Sequence, residues 1–199
     1  MQSVQAHPPL LPLLRSQFQG ELLAWLHLGP ERESSTIELA RRFGVSQATA
    51  SREADRLVDA GLINERRVGN VRLLRANLDT ALARPLADLL AVAYGPTAIL
   101  GPLLAVVPGV DSAYVYGSWA ARYHGERGDV PRDIDVLVVG EADEDDLADV
   151  ARLTQGRLGR EVKFRRVPAT AWENPRADPF LTAVASRPLV PLDLTPEQR

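Results

Sequence analysis

The chain has 199 residues, 45% of them hydrophobic and 25% charged, with a formal net charge of −3 and no cysteine. That length buries a sizeable core in one large or two small domains, and the lack of cysteine excludes disulfides and thiolate metal sites. Charge is uneven: residues 1–96 carry 11 arginines against 10 acidic residues, and residues 97–199 carry 12 basic against 16 acidic ones. A near-neutral half beside an acidic half suggests two domains with different partners. The stretch from Met1 to Leu14 lacks the basic start and clean apolar core of a signal peptide, and no apolar run approaches the roughly 20 residues that span a bilayer. The expectation is a cytoplasmic protein that does not contact membrane.

In chain order, Leu13 to Leu28 repeats Leu14, Phe18, Leu22 and Trp25 at helical spacing, and Gly29-Pro30 ends that helix. Ser35 or Thr36 suits the cap of a short helix over Ile37–Phe43, and Gly44 suits the left-handed residue beyond its end. Ser46 caps a second helix over Gln47–Ala60, which Gly61 stops. Ile37, Leu39, Ala40, Val45, Ala50, Ala54, Leu57, Val58 and Leu62 form the inward faces. Two helices joined by a short turn containing glycine predict a helix-turn-helix. The second helix leaves Gln47, Thr49, Ser51, Arg52 and Arg56 outward, side chains of the kind that read base edges and hold phosphates, with Ser46 at its start. Two short strands then flank Gly69-Asn70, a hairpin signal. The hairpin carries Arg66, Arg67, Arg72 and Arg75 and one acid, Glu65, which makes it a basic wing suited to phosphate or minor-groove contact.

From about Leu13 to Tyr94 the chain resembles the winged-helix domains of MarR- and ArsR-type transcriptional regulators, most strongly over "ARRFGVSQATASREADRLVDAGLI" and the wing. The resemblance implies binding to double-stranded DNA as a homodimer, with two reading helices meeting a palindromic site. Pro85–Tyr94 is apolar and helical in pattern, and serves either as an inter-domain helix or as a dimer contact.

Gly95-Pro96 breaks the chain, giving domains over 1–95 and 96–199. Thr97–Val107 reads as a helix. "DSAYVYGS" reads as a strand with Ala113 and Val115 on one face and Tyr114 and Tyr116 on the other. It runs into a helix, "WAARYHG", through a turn at Gly117-Ser118. Glycine lets the backbone approach a ligand, and a helix start offers N–H groups to phosphate. In "RDIDVLVVG", Ile134, Val136 and Val138 face the core, so Asp133 and Asp135 share the other face. Two carboxylates so close repel unless a cation neutralises them, and oxygen ligands of this kind select Mg²⁺ or Mn²⁺ together with substrate phosphates.

Gly-Ser, a spacer, then Asp-x-Asp on a strand resembles the nucleotidyltransferase superfamily that includes polymerase β and the minimal nucleotidyltransferases. The resemblance covers roughly Asp111 to Leu194. It implies that Gly117 and Ser118 bind the phosphates of an NTP and that Asp133 and Asp135 are the catalytic metal ligands. The family's third carboxylate would fall on "GREVKFRRV", at Lys163, with Glu161 two residues earlier on the same face. A charged lysine binds phosphate but no metal, so nucleotide binding survives this change better than transfer does. Arg122, His124 and Glu126 follow the turn closely enough to reach a nucleotide or to form a solvated helix end. His7 and His27 have no assigned role, "EADEDDLADV" reads as an acidic helix start, and Trp172 reads as a packing residue. The expected class is α+β in two domains, a winged helix-turn-helix followed by a nucleotidyltransferase-like mixed α/β sheet. The protein is then a DNA-binding regulator whose second domain senses NTP with Mg²⁺; the alternative is an active transferase that moves NMP to a protein, RNA or small-molecule acceptor.

Overall fold

The computed structural model describes residues 13–29, 31–126 and 131–195. The leader reading, His7 and residues 127–130 of the loop before Asp133 lie outside the described residues. The chain divides into two compact units at Tyr94/Gly95.

In the first unit, α1 (Gln17–His27) begins four residues later than the apolar spacing predicts, because Ser16 in extended backbone accepts from the Gln19 amide and caps it there. α2 (Thr36–Phe43) opens with a capping box in which Ser35 and Glu38 satisfy each other's backbone amides, and it ends at left-handed Gly44. α3 (Gln47–Asp59) is capped by Ser46. β2 (Ile63–Val68) and β3 (Val71–Ala76) pair antiparallel, closing at Val68↔Val71. Gly69 has a positive φ and Asn70 does not, the pattern of a II′ rather than a I′ turn. A short strand not foreseen from the sequence, β1 (Ser34–Ser35), adds to β3 and gives the sheet order β1-β3-β2. Leu22, Leu26, Leu39, Ala54, Leu57 and Leu74 are buried. Ile37, expected inward, is 51% exposed, because the buried face of so short a helix is filled by Thr36, Leu39 and Ala40.

α4 (Ala83–Tyr94) packs against α1. Their contact is close at Gly20, where an added Cβ would lie 2.0 Å from the Tyr94 hydroxyl. The 22 residues Ala83–Leu104, across α4 and α5 (Pro96–Leu104), hold an 18-residue window of mean hydropathy 1.4, longer than expected. Extended backbone at Gly95 divides them into helices of 12 and 9 residues, each too short to span a bilayer.

The second unit holds a four-stranded sheet ordered β6-β5-β4-β7, from β4 (Val110–Tyr116), β5 (Asp133–Gly140), β6 (Glu161–Val167) and β7 (Val190–Pro191). β5 and β6 run parallel, joined through α7 (Glu144–Leu158), and the other pairs are antiparallel. α5 starts and ends earlier than predicted, since Pro96 takes a first-turn position. Ala113, Val115, Ile134, Val136 and Val138 are buried on one face of the sheet. α5, α6 (Gly117–Tyr123) and α7 pack on the strands there. On the other face Leu137, Val139 and Val167 form a core with Leu181 and Val184, and Tyr114, Tyr116, Trp172 and Phe180 pack against it. Trp172 comes from α8 (Ala169–Glu173), and Phe180, Leu181 and Val184 from α9 (Pro179–Ala185). Asp133 and Asp135 share that face, beyond the apolar cluster.

Two outcomes follow for the first unit. Alanine favours a helix over glycine by about 1 kcal/mol, yet Gly20→Ala should destabilise by about 1–3 kcal/mol through overpacking against Tyr94. Chemical denaturation should show a smaller loss when Tyr94 is already alanine. His27 is buried, its Nε2 donates to the Leu62 carbonyl at 3.1 Å, and its Nδ1 has no partner. Burial holds its pKa below the ordinary range, so below about pH 6.5 the unfolded chain binds a proton that the folded chain refuses. Stability should fall as pH drops through that window, and His27→Gln should flatten the slope in denaturation curves taken from about pH 7.5 to about pH 5.

Candidate functional site

The first candidate surface is the outer side of α3 with the wing. Gln47 and Arg52 are exposed, and Thr49 and Ser51 half-buried. Ser46 and Thr49 are engaged in the cap: Ser46 Oγ accepts from the Thr49 amide at 3.1 Å and lies 2.9 Å from Thr49 Oγ1. The arginines sort into two sets. Arg56 pairs with Glu53 at 3.1 Å, and Arg66 pairs with Glu33 through two hydrogen bonds, which hold the Glu33 carboxyl below its usual range. Arg72 donates to Asp55 at 2.5 Å and pairs with Glu65, and its side chain is only 16% exposed. Burial opposes its charge, but those two carboxylates raise its pKa above the ordinary arginine value. Expected as a free phosphate contact, Arg72 instead ties the wing to α3. Arg52 and Arg67 are exposed with no acidic partner among the described residues. Glu53, which the sequence did not single out, is a buried carboxylate on α3 held by Gln19 Nε2 at 2.7 Å. Its signal was its place between Ala50 and Ala54 on the inward face.

The second candidate lies at the open end of the other sheet. Register sets Asp133 beside Glu161, Asp135 beside Lys163 on β6, and Asp135 beside Tyr116 on β4. Lys163 Nζ reaches Asp133 Oδ2 at 2.5 Å and Glu161 Oε2 at 3.9 Å. The ammonium thus holds the Asp133 carboxyl below its usual range. Asp135 moves the opposite way, raised first by burial and then by the Asp133 charge. Its Oδ2 sits over Gly117, where a Cβ would come within 2.9 Å, and Gly117 has φ +70°. Gly117 therefore serves the turn twice, by its conformation and by leaving room for the carboxylate. Ser118 is exposed. Burial raises the Tyr116 phenol; Asp135 and Asp133 add to the shift, while Arg165 and Lys163 oppose it. Four charges thus surround one hydroxyl. Arg165 and Phe180 belong to this end too, the guanidinium lying 5.2 Å over the ring. Period-two counting from Lys163 would have found Arg165.

His124 bonds through Nε2 to the Leu189 carbonyl at 3.2 Å, and Glu126 is exposed. Trp172 packs 5.4 Å from Tyr114. Among the described residues no three His, Cys, Asp or Glu side chains converge as a metal site. Asp133 and Asp135 are oxygen donors of the kind a divalent cation takes, and Lys163 occupies Asp133 in this arrangement.

A family model described as "MarR family" matches residues 13–72. None of the curated proteins matches the chain. Reduced HlyU from Vibrio cholerae is 23% identical, with a TM-score of 0.36, over 44% of this chain and 86% of that one. A ZitR mutant structure from Lactococcus lactis is 25% identical, with a TM-score of 0.32, over 39% of this chain. Wild-type MarR from E. coli in its apo form is 20% identical, with a TM-score of 0.34, over 43%. The chain spans 51% of that ZitR chain and 62% of the MarR chain. Over residues 13–72 the N-terminal part of the chain is a winged-helix domain that matches the MarR family.

Proposed function

We propose that the chain is a DNA-binding transcriptional regulator whose C-terminal unit binds NTP with Mg²⁺ or Mn²⁺ as a sensor. The observation that carries the first part is the exposed face of α3 within the family match, with Gln47 and Arg52 outward and Arg67 on the wing. Amide and guanidinium groups on a helix read base edges, and wing arginines hold phosphates. Net charge is negative, so affinity rests on this local cluster and on two copies acting together. A homodimer is supported by the apolar stripe on and before α4, where Leu82, Leu89 and Val92 are 57%, 45% and 63% exposed. Two copies would set their α3 helices on a palindromic site. A cytoplasmic location agrees with this reading.

The nucleotide reading is supported by Asp135 standing against the Gly117 turn with Asp133 beside it. Asp133 and Asp135 would hold the divalent cation once Lys163 leaves Asp133 for a phosphate, and Gly117 and Ser118 would border the phosphates. The cation supplies charge neutralisation between carboxylates and phosphates. Because the third carboxylate position is occupied by a lysine already paired with Asp133, sensing is favoured over transfer. Active transfer of NMP to an acceptor is the second reading, favoured by the intact Gly117/Asp135 approach.

Replacing Arg52 and Arg67 with alanine together should weaken duplex binding about tenfold or more and reduce the salt slope by about 2. Fluorescence anisotropy across a salt series checks this, and unchanged binding overturns the surface as drawn. For Asp135→Ala, DNA affinity without nucleotide should stay as in the parent, while any NTP-induced shift in that affinity disappears. Loss of label transfer from NTP in the same variant would instead establish the transferase.

A further inference from the structure

β6 sets its odd-numbered residues on the face that carries the aspartates: Lys163 beside Asp135 and Arg165 beside Leu137. Among the basic residues of this strand and its approach, Lys163 is held by Asp133, Arg166 reaches Glu141 and Glu144, and Arg160 donates to the Pro131 carbonyl. Arg165 is exposed and, among the described residues, has no carboxylate partner. Its guanidinium is laid over Phe180, and Phe180 packs edge-on to Tyr116 at 5.9 Å. Tyr116 is in turn the register partner of Asp135. An uncompensated cation is therefore steadied by an aromatic wall next to the carboxylate pair. Residues two apart on a strand are separated by about 6.6 Å. A single phosphate meets one of the two cations, whereas a chain of phosphates meets both.

We propose that Arg165 determines specificity in the C-terminal site, forming with Lys163 a two-step cation ladder that grips polyphosphate and sets a preference for nucleoside triphosphates over monophosphates. The proposal rests on the nucleotide reading above. It adds a phosphate contact at Arg165 beyond those of the Gly117-Ser118 turn and Lys163. A guanidinium fork matches phosphate oxygens in pairs, which an ammonium does not.

The test is calorimetric titration of the full chain, in Mg²⁺ buffer, with ATP, GTP, CTP and UTP, their monophosphates and inorganic tripolyphosphate. Triphosphates and tripolyphosphate should bind more tightly than monophosphates. Arg165→Ala should lower affinity for both polyphosphate classes about tenfold, the size of one charge-assisted contact, and leave monophosphate binding unchanged. Arg165→Lys should recover part of the loss, and it keeps the test open if the alanine variant misfolds. Equal losses for mono- and triphosphates would overturn the ladder, since Arg165 would then merely shape the aromatic wall. No loss at all would overturn it and leave the nucleotide reading standing. Tripolyphosphate binding that needs Arg165, without binding of any nucleotide, would sustain the ladder and sink the nucleotide reading. Failure of the parent chain to bind any of these probes would sink both.

Discussion

Asp133 and Asp135 stand on one face of β5, and the open end of the C-terminal sheet is organised around their repulsion. Neighbouring like charges are tolerable only where something else balances them. Here the parallel register of β6 brings the balance, setting Lys163 level with Asp135 and its ammonium on Asp133. The two carboxylates respond differently: Asp133 is neutralised by a partner, while Asp135 is half-buried against Gly117 with no ion-pair partner among the described residues. That inequality leaves Asp135 the less satisfied group of the two. The apolar cluster under α8 and α9 stops short of this end of the face, so the charged residues remain accessible beside a half-buried aromatic wall.

A similar logic governs the winged-helix unit, with the sign reversed. Several of its arginines are already answered by carboxylates, at Glu33, Glu53, Asp55 and Glu65. A count of basic residues along the wing therefore overstates the charge available to a phosphate. What remains outward is small and local, which suits a chain whose net charge is negative.

Much of this was legible in the residues. The caps at Ser35 and Ser46, the glycine after α2, the hairpin around Gly69-Asn70 and the shared face of Asp133 and Asp135 all follow from local chemistry that acts within a few positions. What was not legible depends on partners distant in sequence. β1 exists because Ser34 and Ser35 meet Leu74 and Leu73. The inward turn of Arg72 depends on Asp55, 17 residues away. Arg165 joins the site only because β6 lies parallel to β5. The late start of α1 shows the converse, where a nearby cap at Ser16 outweighed an apolar repeat extending further back.

Ser34 and Ser35 do two jobs. They pair with β3 as a strand, and Ser35 also caps α2. Arg72, on that same β3, is fastened to Asp55 of α3. The wing, α2 and α3 are thus tied to one another through β3. In the proposed homodimer a signal would have little freedom to reshape the outer face of α3, and would act instead on the distance and angle between the two copies, turning regulation into a matter of gauge against the fixed pitch of the double helix.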